Sequence, residues 1–221
     1  TGDDEIAARI AAYEMAFRMQ SAAPGLLDLG KETPETLSLY GIDDPNRPSF
    51  ARNCLLARRL VEKGVRFVQV FHGDWDHHTD IARGLPHQCR LTDQASAALV
   101  RDLARRGLLE DTLVIWGGEL GRTPVAQKPM KATARVGRDH QIEAFTMWFA
   151  GGGTRPGQVI GTTNDLGCLP TSDSWHVYDL QATILHALGL DHERLTYRYD
   201  GRDFRLTDLY GEVKTELFDR G

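Results

Sequence analysis

Six side chains that can bind metal ions or transfer protons are crowded into one short segment of the sequence. They are His72, Asp74, Asp76, His77, His78 and Asp80. Imidazole nitrogens and carboxylate oxygens are ligands of Zn²⁺, Mn²⁺ and related divalent ions. The spacing Asp76-x-His78 directs two donors to the same side of an extended segment. The segment therefore predicts a metal site, and a solvated polar surface loop is the alternative that its composition leaves open.

A second polar segment carries an acid between glycines. It runs Trp116-Gly-Gly-Glu-Leu-Gly-Arg-Thr-Pro124, so Glu119 follows two glycines and Arg122 follows a third. Glycine lets the backbone approach a ligand closely, and Glu119 is therefore predicted to face the same crevice as the first segment. The planar guanidinium of Arg122 can hold an oxyanion, which makes it the candidate substrate-binding residue. The alternative is a Gly- and Pro-rich turn in which Glu119 is a surface acid.

A third candidate ligand is His140, which ends the run Gly137-Arg-Asp-His140 shortly before an apolar stretch. A single histidine in such a place also fits a structural role. Together with the other two segments it completes a set of four predicted metal ligands, Asp76, His78, Glu119 and His140.

The pattern of apolar residues predicts the elements that position these side chains. Strands are predicted at Val65–Phe71, Thr112–Trp116 and Phe145–Ala150, and covering helices at Gln88–Arg106 and Val177–Leu188. Alternating strands and helices predict an α/β fold with a mostly parallel sheet and helices on both faces. In such sheets ligands bind beyond the carboxyl ends of the strands, where the first two polar segments begin.

Length and composition indicate one globular domain over residues 1–221. The chain has 221 residues, of which 41% are hydrophobic and 26% charged, with a formal net charge of −5. Those values exclude a disordered chain and disfavour nucleic acid as a partner, and no apolar run is long enough to span a membrane. Residues 1–48 are predicted as a helical lead-in, with a helix over Asp3–Ser21 that stops at Ala23-Pro-Gly25. A second helix is predicted from the N-cap Ser49 to a stop at Gly64.

Blocks of sequence spread over almost the whole chain match one family pattern. They are Cys54–Val70, Trp75–His78, Trp116–Pro124, Gly137–His140, Asp179–Gly189 and Asp191–Asp208. In this order they resemble a bacterial family of formerly unknown function that belongs to the alkaline phosphatase and sulfatase-like superfamily. The resemblance implies an alkaline phosphatase-like fold and a metal-dependent hydrolase acting on phosphate or sulfate esters, either small molecules or polymers. It also suggests an exported or periplasmic protein.

The same resemblance assigns roles to the candidate residues. Superfamily members use two divalent ions, here Zn²⁺, Mn²⁺ or Ca²⁺, together with a hydroxyl or formylglycine nucleophile. Asp76 and His78 resemble the mid-chain ligand pair, Glu119 the acidic turn and His140 the last histidine ligand. The chain departs from the pattern at Gly118-Glu119, where many members have Asp-His, so the second metal site is expected to be weaker or different.

The nucleophile is the part of the superfamily pattern that the sequence does not supply. No segment before Val65 has the pattern of a strand followed by an Asp and a nucleophile, so we expect the sequence to be the C-terminal portion of a longer protein. The chain is then expected to hydrolyse esters weakly or not at all. A non-catalytic binding or scaffolding module that retains the fold is the alternative function.

Overall fold

The computed structural model describes residues 3–127 and 135–218. These parts contain five α-helices, two 3₁₀ helices and eight short strands. The α-helices are α1 (Asp3–Leu27), α2 (Pro34–Tyr40), α3 (Phe50–Glu62), α4 (Ile81–Arg105) and α5 (Val177–Ala187), and the 3₁₀ helices are Leu29–Lys31 and Thr215–Leu217. The strands are β1 (Val114–Trp116), β2 (Gly121–Arg122), β3 (His140–Gln141), β4 (Trp148–Ala150), β5 (Thr162–Thr163), β6 (Pro170–Ser172), β7 (Thr196–Tyr199) and β8 (Arg202–Arg205).

The chain divides into two compact units. The first consists of Thr1–Gly73 with His87–Asp102, and the second of Asp74–Pro86 with Leu103–Gly221. Helix α4 contributes its middle to the first unit and its two ends to the second. One domain over residues 1–221, with a helical lead-in at 1–48, stays a prediction. In the described parts, no helix is both long enough and apolar enough to cross a bilayer.

The strands form four separate antiparallel pairs. Strand β1 pairs with β4, β2 with β3, β5 with β6, and β7 with β8. Mixed α/β content is thus confirmed, but the predicted mostly parallel sheet with helices on both faces is absent from residues 3–127 and 135–218.

The predicted strand at Val65–Phe71 is also absent, because this run belongs to no strand in the described residues. The physical reason is that an apolar run carries no information on the direction or presence of a partner strand, and Val65, Phe67 and Phe71 are in fact exposed.

The predicted helices are present, with differences at their ends. Ser49 caps α3 as predicted, because its Oγ accepts a hydrogen bond of 3.1 Å from the amide of Arg52. Gly64 follows the end of α3 with φ of 80°, a left-handed conformation that glycine adopts without strain. The predicted stop of α1 at Pro24 was wrong. Proline lacks an amide donor, but its carbonyl still accepts a hydrogen bond from Asp28, so one more turn forms.

The helix predicted from Gln88 is part of α4, which begins earlier, at Ile81. Gly84 and Pro86 interrupt the apolar spacing, so the pattern is regular only after them. The helix predicted at Val177–Leu188 is confirmed as α5. His176 and Asp179 form a reciprocal capping box at its start, which satisfies two amides that have no partner inside the helix.

The first unit packs around a small apolar core that also contains an ion network. The core residues are Leu29, Tyr40, Ile42, Cys54, Leu55, Ala95 and Ala98. Burial raises the pKa of the Cys54 thiol to about 12, which keeps it protonated and unreactive at neutral pH. Arg58 is only 2% exposed. Its guanidinium nitrogens lie 2.7 Å from Glu32, 2.6 Å from Glu62 and 2.9 Å from Asp102.

Removing the Arg58 cation should strongly destabilise the first unit. Arg58→Ala leaves carboxylates in low-dielectric surroundings without their partner, a change that costs about 3 to 5 kcal/mol in the free energy of unfolding. Urea denaturation followed by circular dichroism measures the loss. Arg101→Ala, on the exposed side of α4, is the matched control and should change stability by less than about 0.5 kcal/mol. Equal unfolding midpoints for the two variants would contradict the role of Arg58.

Candidate metal centre

The candidate ligands come from two segments of the second unit, and a third segment supplies Arg122. Asp76 and His78 lie in the irregular stretch before α4, and His140 lies in β3. Strand β3 pairs with β2 so that His140 is directly opposite Arg122. Opposite residues of an antiparallel pair project to the same face, so this register places an imidazole beside a guanidinium. The pairing of two short strands therefore creates the half of the site that faces Asp76.

The carboxylate of Asp76 is the centre of the group. Its Oδ1 lies 2.6 Å from Nη1 of Arg122, 3.0 Å from Nε2 of His140 and 3.0 Å from Nε2 of His78. One ligand atom from each of Asp76, His78 and His140 lies within 4.8 Å of the other two. A small rearrangement can bring all three onto one ion at bond lengths of about 2.0 to 2.2 Å. No other set of three such residues lies this close in the described parts of the chain.

A second layer of polar groups orients the two histidines. The Gln127 amide oxygen lies 2.7 Å from Nδ1 of His78. An amide oxygen only accepts, so Nδ1 of His78 donates in this contact, and Nε2, which faces Asp76 at 3.0 Å, is the nitrogen that can bind a metal once it has lost its proton. The backbone amide of His140 donates to Oδ1 of Asp139 at 2.8 Å. The Thr123 amide donates to the Asp139 carbonyl at 2.9 Å, and the Asp139 amide donates to Oγ1 of Thr123 at 3.1 Å. These two bonds continue the contact between the chain segments of β2 and β3 past Arg122 and His140.

Gly137 is required by the close approach of two backbone segments. A Cβ at this position would overlap the His77 carbonyl and the backbone of His78. The amide of Arg138 donates to the same His77 carbonyl at 3.0 Å. Only a residue without a side chain lets the strand that leads to His140 pass so near to His78.

A nearby positive charge and hydrogen bonds stabilise the ionised form of Asp76. The Arg122 guanidinium, followed by the His140 imidazole, holds the pKa of Asp76 below its ordinary value. The carboxylate is therefore ionised at neutral pH, which is the form that binds metals. The site is also open to solvent, since the Asp76 side chain is 61% exposed.

Three of the four predicted ligands lie close to one another. Asp76, His78 and His140 form the group, whereas Glu119 is exposed and is not one of its members, so its role as a ligand stays a prediction. The contact between Arg122 and Asp76 was not foreseen. The register that creates it follows from strand pairing, and the sequence carries no direct signal for that pairing.

The supporting residues Gln127 and Asp139 were also missed. Asp139 stands next to His140 in the sequence, which was an available signal, but nothing in the sequence relates Gln127 to His78. His77 has a structural role here. Its Nδ1 lies 3.0 Å from the carbonyl of Trp75, and its ring lies where a side chain at position 84 would project.

These features define a mixed α/β chain with an exposed carboxylate and two histidines arranged as a potential metal site. Residues 1–218 match the family described as protein of unknown function, DUF1501, and the chain belongs to that family. The search of curated proteins and the search of solved structures found no match.

Removing the Arg122 guanidinium should raise the pKa of Asp76. In Arg122→Met the carboxylate loses its closest cation, and its pKa should move up toward the ordinary value of about 3.9. A carbon-detected NMR titration of the metal-free protein measures this directly. Arg83→Met, which removes an exposed arginine from the first turn of α4, should leave the Asp76 titration unchanged. An unaltered titration in Arg122→Met would show that the contact does not act on Asp76 in solution.

Proposed function

We propose that the chain holds a divalent ion through Asp76, His78 and His140 and acts as a metal-dependent hydrolase of phosphate or sulfate esters. The observation that carries the proposal is the grouping of the three ligand atoms within 4.8 Å of one another. Two imidazole nitrogens and one carboxylate oxygen suit Zn²⁺ or Mn²⁺ better than Ca²⁺, which prefers oxygen ligands alone. The block motifs described above support an alkaline phosphatase-like ancestry for this site.

Residues around the group fit such an ion. Gln127 holds His78 with its Nε2 available, in the way that ligating histidines commonly donate their second nitrogen to a neighbouring acceptor. Asp76 is ionised, and the group is accessible from solvent. Three protein ligands leave coordination positions for water and substrate, as in catalytic zinc sites.

Under this proposal, the three ligands and Arg122 each have a role in ester hydrolysis. A bound ion supplies Lewis acidity toward an ester oxygen and lowers the pKa of a water molecule. Asp76, His78 and His140 hold the ion in place. Arg122 is the cation nearest to the group and can hold the non-bridging oxygens of a phosphate or sulfate by charge-assisted hydrogen bonds. Hydrolysis adds water across the ester bond and releases an alcohol and the inorganic anion.

A binding module is the second candidate function, and the openness of the site favours it. Electrostatic stabilisation of a transition state is strongest where water is excluded. The Asp76 side chain is 61% exposed and the His140 side chain 44% exposed, so the group by itself does not exclude water. In this alternative the ion serves to hold an anionic ligand without cleaving it.

Metal titration tests the site itself. We expect the purified chain to bind Zn²⁺ in calorimetric titrations at neutral pH, and Asp76→Asn or His140→Ala to weaken binding by about tenfold or more, because each change removes a ligand. Glu119→Gln tests the remaining predicted ligand: weaker binding would add Glu119 to the site, and unchanged binding would leave the group of three ligands. The matched controls are His87→Ala and Glu143→Gln, both at exposed positions. If Asp76→Asn and His140→Ala bind Zn²⁺ as tightly as the parent chain, the proposed site is wrong.

Turnover distinguishes the two candidate functions. We expect the chain loaded with Zn²⁺ or Mn²⁺ to hydrolyse 4-nitrophenyl phosphate or sulfate at a low but measurable rate, because nucleophile, metal and anion-binding groups act as a unit and no nucleophile is assigned among these residues. A measurable rate that Asp76→Asn abolishes and His87→Ala preserves supports the hydrolase. Tight binding of metal and of the anion without any turnover supports the binding module. A rate that Asp76→Asn leaves unchanged would place the active site elsewhere.

A further inference from the structure

Three of the four tryptophans of the chain form a cluster in the second unit. Trp116 of β1 is directly opposite Trp148 of β4. Their indole planes are nearly parallel, at 3°, with ring centroids 6.3 Å apart. Trp75 meets Trp116 edge to face, at 89° and 6.1 Å. We call Trp75, Trp116 and Trp148 the tryptophan platform.

The platform is partly open to solvent. Trp116 is 38% exposed and Trp148 is 37% exposed, although burying an indole is strongly favourable. A cross-strand aromatic pair stabilises a short strand pair, and that accounts for the contact between the rings. It does not account for the exposed ring surface. Adjacent exposed aromatic surfaces are typical of ligand-binding sites.

Covalent and polar links connect the platform to the candidate metal centre. Trp75 immediately precedes Asp76 in the chain. The carbonyl oxygen of Trp75 accepts from Nη2 of Arg122 at 3.5 Å, while Nη1 of the same guanidinium binds Asp76 at 2.6 Å. Arg122 thus bridges the backbone of the platform and the carboxylate of the site. The chain segment that carries Trp75 therefore adjoins the metal centre, and this adjacency is the basis for a ligand that spans both.

We propose that the tryptophan platform binds the ring of a sugar whose phosphate or sulfate ester is held at the metal centre by Arg122 and the ion. This inference rests on the proposed function and names its substrate class. The flat face of a pyranose presents C–H groups with partial positive charge, which pack against the electron-rich face of an indole.

The openness of the platform favours a sugar over an aromatic ligand. A sugar that stacks on one face keeps the hydroxyl groups around its ring in contact with water, so it needs no enclosed cavity. An aromatic ligand gains most where a pocket buries the greater part of its surface. The neighbouring carboxylate of Asp76 adds an acceptor for a hydroxyl group, a contact that an aryl ring cannot use.

Binding titrations with and without Zn²⁺ test the inference. The probes are the 6-sulfates and 6-phosphates of glucose, galactose and N-acetylglucosamine, the three free sugars, and 4-nitrophenyl sulfate as the aryl comparison. We expect at least one sugar ester to bind in calorimetric or ligand-observed NMR titrations. Trp148→Ala and Trp116→Ala should each weaken that binding by about tenfold or more, as for a central aromatic contact in an interface. Neither should change the affinity for Zn²⁺.

Controls separate stacking from loss of structure. Tyr197→Ala removes an exposed aromatic side chain from a different strand pair and should leave sugar binding unchanged. Trp148→Phe keeps an aromatic face and should retain part of the affinity. Circular dichroism and the Zn²⁺ titration check that each variant is folded.

The possible outcomes distinguish this inference from the proposed function. It is overturned if no sugar ester binds, if Trp148→Ala and Trp116→Ala bind it as tightly as the parent chain, or if the aryl ester binds equally well. Zn²⁺ binding without sugar binding overturns the sugar inference alone. Sugar binding that depends on the platform, in a chain that binds no Zn²⁺, supports the role of the tryptophans but refutes both the metal-dependent function and the part of the ion in holding the ester.

Discussion

The negative charge of Asp76 is the interaction on which the candidate site depends. One carboxylate oxygen receives a guanidinium and two imidazoles that come from three separate segments of the second unit. Without a charge at this point, Arg122 and the two histidines would be an unbalanced group of donors. The carboxylate therefore links side chains from segments that backbone pairing has already brought together, and the same point suits a divalent ion.

Under the proposed function, Arg122 would serve the site differently with and without a bound ion. In the described arrangement the guanidinium neutralises Asp76, which removes the need for a metal to hold the segments together. When an ion takes over that neutralisation, the guanidinium becomes available for an anion. Metal and anion binding would then reinforce each other through one side chain, and the linkage requires each to raise the affinity for the other by the same factor.

The features that could be predicted from the sequence are mainly those that depend on a few neighbouring residues. Ser49 and Gly64 were recognised as the ends of a helix because capping depends on a few neighbouring residues. The grouping of Asp76, His78 and His140 was predicted from their ligand chemistry, their places beside apolar runs and the family resemblance. The direction of strand pairing was not predictable in this way, because the apolar residues of β1 and β4 fit either direction. The contacts of Arg122 with Asp76 and of Gln127 with His78 depend on the pairing of β2 with β3, on the bridge between Gln127 and Gly137 and on loop paths, so they appear only in three dimensions.

The register of β1 and β4 restricts how this part of the chain can vary in length. Side chains alternate between the two faces of a strand, so a single inserted residue within β1 would turn Trp116 away from Trp148. An insertion between β1 and β4, outside both strands, shifts neither tryptophan relative to its own strand. Relatives that keep the paired indoles should therefore differ in length mainly in their connecting segments, and two-residue changes within the strands should be tolerated better than one-residue changes.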